Sequence, residues 1–183
     1  MRNPIDHLLD DHRIIMAKIE SLRVAIEALR NGGDTALAGA RPMLEEVGHM
    51  MATTLHRHAR KEDEALFPAL EAIFGTSGTP TAVMREEHRA IHSRAELFRR
   101  TLHELNEVEH PKIVAGGAML RGLAAGGADA AALRQTAEEI VSLLDLHFGK
   151  EEDILFPMAR EMLSAEDLAT IATRIEAIAA EGR

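Results

Sequence analysis

HFGKEEDILFP, residues His147 to Pro157, has a counterpart earlier in the chain: HARKEDEALFP, residues His58 to Pro68. The two stretches share His, Lys, Glu, Leu, Phe and Pro at matching places. In each, His and Glu stand four residues apart in a helix-favouring segment, so both side chains leave one face a turn apart. A single His-xxx-Glu on a helix reads as a surface ion pair. Two of them, each followed by Leu-Phe-Pro, read as a duplicated site.

The duplication reaches upstream. Pro4 precedes His12 in NPIDHLLDDHR as Pro80 precedes His88 in TPTAVMREEHR. Each half therefore runs cap, Pro, acidic pair, His, Arg, and then a long helical stretch. A Gly-bearing break and a second helix with His-xxx-Glu and Leu-Phe-Pro complete it. The second half is longer, and its surplus falls most naturally in the Gly-rich tract between His110 and Asp129.

The helices follow from caps and periodicity. Asn3, Pro4 and Asn31-Gly32-Gly33 bound a first helix to about Arg30, with Ile5, Leu8, Leu9, Ile15, Ile19, Leu22 and Ile26 as its apolar stripe. A second lies between Asp34 and Gly75. Pro68 removes the hydrogen bond to the Glu64 carbonyl, which predicts a kink or an end there. A third opens at Thr79-Pro80 and holds to about Glu109, and its continuation through Pro111 to Leu123 is weakened by Gly116-Gly117 and Gly126-Gly127. A fourth covers about Asp129 to Met162. A fifth runs from Ser164 to about Ala180, where Ser164 and Asp167 resemble a capping box.

The expected fold is all-α: an up-down-up-down four-helix bundle over residues 1–162, with an additional short C-terminal helix, 163–183, packed on it or extending from it. In an antiparallel bundle, His12 and His88 near the starts of helices one and three meet His58 and His147 near the ends of helices two and four.

Composition narrows the chemistry. At 183 residues without cysteine, the chain is large enough for one core, and disulfides and thiolate metal sites are excluded within it. A net charge of -9, with basic residues scattered among acids, disfavours nucleic acid and anionic membranes. No apolar run approaches a bilayer span and no signal segment opens the chain, so a cytoplasmic location is expected. There are five Phe and neither Trp nor Tyr, so no tyrosyl radical or Trp/Tyr electron relay can form. Ten histidines in an acidic chain are the positive hint.

Imidazole and carboxylate donors suit iron, manganese or zinc. Six groups, His12, His58, Glu62, His88, His147 and Glu151, are too many for one tetrahedral zinc. They suit two metals ~3.5–4 Å apart with the glutamates bridging. The spacing differs from the Glu-xx-His of ferritin-like sites, and the zinc-protease His-Glu-xx-His does not occur.

A His on helix one, His-xxx-Glu on helix two, a His on helix three and His-xxx-Glu on helix four, each glutamate followed by Leu-Phe-Pro, resembles the hemerythrin-like, or HHE cation-binding, family over about residues 3–160. The resemblance implies an oxo- or hydroxo-bridged pair of iron ions. His12, His58, His88 and His147 would be terminal ligands, and Glu62 and Glu151 the bridges. His92, four residues after His88, resembles the His-xxx-His of oxygen-carrying members and is counted as a seventh ligand. The iron held by His88, His92 and His147 would then be full, and the vacancy would lie at the other iron, beside Met16.

Other residues read more plainly. His7 and Asp11 read as a surface pair, since they have no twin in the second half. His56 faces away from His58, and His49, His103 and His110 read as solvated. Glu152 is an alternative bridge, with the match to Glu62 favouring Glu151. Phe67, Phe148 and Phe156 can wall the site from water, or serve as ordinary core.

The resemblance implies binding of dioxygen or nitric oxide for sensing, storage or detoxification. The alternative is a di-iron enzyme acting on peroxide or nitric oxide, or an iron donor in iron-sulfur cluster repair; a redox partner fits either. A stability switch that unfolds on ligand loss is a third reading. A homodimer would rest on the apolar face of Leu168, Ile171, Ile175 and Ile178.

Overall fold

The computed structural model describes residues 2–114 and 130–181, the side chains of 106–114 excepted. All regular structure among them is helical. The first helix, α1, is Pro4–Gly32. Asn3 accepts the Ile5 N–H at its start, and Gly33 ends it at φ 52°, with its N–H on Leu29 O. That left-handed backbone is why the chain turns at a glycine.

The second helix, α2, spans 34–74 and contains two π-helical turns, Met51–Leu55 and Glu62–Leu66. Pro68 does not end it. In the second π turn the Phe67 N–H reaches back five residues to Glu62 O, so the ladder has already changed register where proline withholds its donor. Arg85 Nη2 donates to the Asp63 carbonyl in that turn, at 3.2 Å.

The third helix, α3, is Pro80–Val114, and it passes through Pro111 instead of stopping at Glu109. The expected continuation to Leu123 and the Gly-rich tract lie outside the described residues from 115 on. The fourth helix, α4, spans 130–162 and repeats the π turn at Glu151–Leu155, with the Phe156 N–H on Glu151 O. The fifth, α5, is Ala165–Ala180, and its start is the expected capping box of Ser164 and Asp167.

Side-chain pairs join neighbouring helices. Arg23 meets Asp145 at 2.7 Å and Arg30 meets Glu138 at 2.8 Å, pairing α1 with α4 in opposite senses. Lys18 bonds Glu46 between α1 and α2, Arg85 meets Glu71 between α2 and α3, and Arg94 meets Glu139 between α3 and α4. α5 lies across α1 and α2. Ile171, Ile175 and Ile178 are buried there within the chain's own core.

The apolar interior falls into two clusters. The larger runs from Ile15 to Leu29 on α1, from Leu37 to Leu55 on α2, from Ile91 to Leu105 on α3 and from Ala130 to Phe148 on α4. The smaller joins Ile5, Leu8, Leu66, Phe67, Met84, Leu155 and Phe156 to Ile171 and Ile175 of α5. Between them, in sequence position, fall His12 on α1, His58 and Glu62 on α2, His88 on α3 and Glu151 on α4, with His147 one residue before Phe148 at the edge of the larger cluster. No helix among the described residues is long and apolar enough to cross a membrane.

Candidate metal centre

Each long helix delivers its polar residues to that middle layer because apolar residues three to four positions away on both sides anchor the same face. All six residues are buried, Glu62 and Glu151 at 0% exposure. They form two sets, His12, His58, Glu62 and Glu151, and Glu62, His88, His147 and Glu151, in each of which one donor atom per residue lies within 4.8 Å of all the others. Both glutamates belong to both sets.

The detail within the sets favours sharing. Glu151 turns Oε2 to His12 Nε2, at 3.2 Å, and Oε1 to His147 Nε2, at 3.1 Å. One carboxylate thus faces both sets with different oxygens. Glu62 Oε2 lies 3.4 Å from His58 Nε2 and 3.3 Å from His88 Nε2. His12 Nε2 and His58 Nε2 face each other at 3.1 Å. Two imidazole nitrogens at ~2.1 Å from one ion and at right angles stand ~3 Å apart, so the spacing fits a shared cation.

A cation is also what the buried oxygens lack. All four carboxylate oxygens of Glu62 and Glu151 are buried without a hydrogen-bond partner. Unpaired buried carboxylates carry a heavy desolvation cost unless a positive charge offsets it. Burial opposes ionisation of Glu151, but the imidazoles of His12 and His147 outweigh it and hold its pKa below the usual range. Burial likewise opposes charge on His88, and Asp63 with Glu62 outweighs it, raising its pKa to about 10. His12 and His147 are raised in the same way, against burial, chiefly by Glu151. The site thus draws protons to its nitrogens wherever no metal supplies the charge. Its donor set, nitrogen and oxygen without sulfur, fits a first-row metal pair.

The far nitrogen of every histidine meets a carboxylate from a neighbouring helix. Asp11 of α1 lies 3.4 Å from His58 Nδ1, Asp63 of α2 lies 3.2 Å from His88 Nδ1, Glu87 of α3 lies 3.0 Å from His147 Nδ1, and Glu152 of α4 lies 2.7 Å from His12 Nδ1. Around the four helices these contacts close a ring. At His12 and His147 the contact is a hydrogen bond, and an Nδ1 proton held outward there leaves the Nε2 lone pair aimed inward, as metal-binding imidazoles require.

Cations brace three of the four carboxylates. Buried Lys61 bonds Asp11 and lies 2.9 Å from His7 Nε2, Lys150 bonds Glu87, and Arg85 meets Asp63 at 3.0 Å. Lys61 and Lys150 are the lysines of the two repeated stretches. Each steadies the carboxylate that orients the histidine three residues before it. Burial raises the Asp11 pKa, but His58 and Lys61 outweigh it and bring it to about 2. His7 and Asp11 are therefore not the surface pair expected, because Lys61 lies between them and α2 covers both. Glu152 also differs from an alternative bridge: it faces the outer nitrogen of His12.

Phe148 stacks on His12 at 3.9 Å between ring centroids, Phe156 stacks on it at 5.4 Å, and Phe67 stacks on His88 at 5.6 Å. Phe67 and Phe156 directly follow the two π turns, each with its N–H on the carbonyl of the glutamate that begins the turn. Met16 is partly buried against the larger cluster.

His92 is not brought into either set. It is half-buried, and its ring lies against His56 at 5.0 Å. The ring of outer carboxylates was missed in the sequence, although one signal for it was present: an acidic residue beside each of His12, Glu62, His88 and Glu151.

No curated protein and no solved structure matches the chain. The family model of the hemerythrin HHE cation-binding domain matches residues 3–109 and 104–181, so that both halves and α5 fall within it. With its buried His and Glu cluster built for a cation, the chain belongs to the hemerythrin HHE cation-binding domain family.

Proposed function

We propose that this protein is a non-haem di-iron protein that binds dioxygen or nitric oxide for sensing, storage or detoxification, its two irons joined by an oxo or hydroxo bridge. The observation that carries this reading is the sharing of Glu62 and Glu151 by two His-His-Glu-Glu sets. The ligands are His12, His58, Glu62, His88, His147 and Glu151. His92 is left out because its ring faces His56, and the ligand count then leaves an open position at each ion. We read helices α1 to α4, within residues 1–162, as an up-down-up-down bundle, and α5, within the C-terminal segment 163–183, as a helix packed on it.

When bound, an iron pair supplies reversible electron transfer to a small ligand in a site this size. The chain's own residues do the rest. Asp11, Asp63, Glu87 and Glu152 hold the imidazoles in one orientation, so the donors need little reorganisation. Phe67, Phe148 and Phe156 exclude water from the layer. With neither Trp nor Tyr in the chain, no aromatic relay carries charge to the surface, which favours binding over turnover.

The test is metal analysis and an optical spectrum of the purified protein, reconstituted with iron and reduced without oxygen, then exposed to oxygen or nitric oxide. Two irons per chain, with bands that appear on exposure and vanish on removal, is the expected result. Irreversible oxidation would replace it with the enzyme reading, in which peroxide or nitric oxide is consumed with a redox partner. Failure to take up iron would overturn both.

A further inference from the structure

Outside the buried centre, α2 and α3 bring a third pair of imidazoles together. His56 and His92 have ring centroids 5.0 Å apart at an interplanar angle of 67°. The two pairs that line the centre have nearly the same arrangement, His12 and His58 at 4.7 Å and 70°, and His88 and His147 at 4.8 Å and 67°. Two rings edge to face at this separation can turn one nitrogen each toward a common ion.

His92 also begins a His-xxx-Glu, HSRAE, ending at Glu96, one of four in the chain. This is the spacing that sets His58 beside Glu62 and His147 beside Glu151. His56, His92 and Glu96 line one cavity of about 170 Å³ that opens to solvent between the helices, with Arg99 at its edge.

We propose that His56, His92 and Glu96 form a second, mononuclear site for a divalent first-row transition-metal ion, separate from the buried centre. Two imidazoles and one carboxylate with the remaining positions open to water form a well-known donor set for such ions. Both histidines sit where the solvent can deliver a hydrated ion. Glu96 is exposed and pairs with Arg99 at 2.8 Å, and a pair in water between residues three apart holds a carboxylate only weakly. Turning Glu96 toward the cavity therefore meets little resistance. The chain's net charge of -9 adds a general attraction for cations.

The site is tested with cobalt(II), whose visible absorption reports its donors, on protein whose buried centre has first been filled with iron without oxygen. Cobalt should bind at one further equivalent per chain. His56→Ala and His92→Ala should each weaken that binding by roughly tenfold or more. Glu96→Gln should weaken it less, and iron content and helicity should stay unchanged in all three. Cobalt binding that is the same in His56→Ala and His92→Ala as in the parent overturns the proposal. Loss of iron from the buried centre in His92→Ala, with cobalt binding intact, also overturns it, by placing His92 among the inner ligands. If the chain takes no iron, the same variants are compared in the metal-free protein. The outer site is thereby judged apart from the di-iron reading.

Discussion

Asp11 shows how much of this centre is decided one residue at a time. It bonds buried Lys61 and faces the outer nitrogen of His58, and its pKa, drawn down to about 2, keeps it ionised in that role. Asp11→Ala removes the group that orients one ligand and leaves Lys61 without its carboxylate. Metal affinity should fall by ~10- to 100-fold, measured by competition with a chromophoric chelator, with helicity retained. Glu62 and Glu151 act differently, because each faces two sets of donors. Glu151→Ala or Glu62→Ala should leave no more than one metal per chain by elemental analysis. Two irons retained in either variant would remove that residue as a bridge.

The decisive elements are the π turns and α5. The turns at Glu62–Leu66 and Glu151–Leu155 begin on the two shared glutamates and end just before the Phe-Pro steps. They bond the backbone N–H of one phenylalanine to each glutamate's carbonyl and carry both helices past a proline. α5 closes the smaller apolar cluster with Ile171 and Ile175. Ile175→Ala should destabilise the protein by roughly 2–5 kcal/mol, as expected for a buried branched side chain that leaves a cavity. Ser164→Ala, which removes only the cap of α5, should cost ~1 kcal/mol. Chemical denaturation monitored by circular dichroism separates the two. Metal content should be unchanged in Ser164→Ala, since no ligand lies on α5.

Taken whole, the molecule is a polar layer held between two apolar ones, and its stability depends on what neutralises that layer. Without metal, the neutralising charges are protons on imidazole. His88 has its pKa raised from 6.5 to about 10, so its contribution is complete below 6.5 and is lost as pH rises through 10. His12 and His147 shift in the same direction. Asp11 is lowered from 3.8 to about 2, so its contribution is present above 3.8 and is lost as pH falls through 2. The chelated protein should therefore melt at its highest temperature between about pH 4 and 6.5 and lose stability steadily toward pH 10. Metal-loaded protein should not show the alkaline loss, because the ion binds neutral imidazole and displaces those protons. Thermal unfolding with and without chelator at pH 6, 8 and 10 checks this, and identical profiles would refute it.

Much of this was set by local chemistry. Asn3, Gly33, Ser164 and Asp167 mark helix ends because capping depends on a few adjacent residues. The repeated His-xxx-Glu brought the six inner residues into view because residues four apart share a helix face whatever surrounds them. What lay beyond sequence spacing was everything decided between helices or by a change of register. Pro68 read as a kink or an end, whereas a shifted hydrogen-bond ladder let the helix continue. Asp11 read as a surface partner of His7, whereas α2 brought Lys61 and His58 against it. His92 shares the spacing of a ligand, and its ring lies against His56 of a neighbouring helix, a contact that spacing along one helix does not show. A one-dimensional pattern fixes which residues share a face of one helix, and only the packing of neighbouring helices fixes what that face meets.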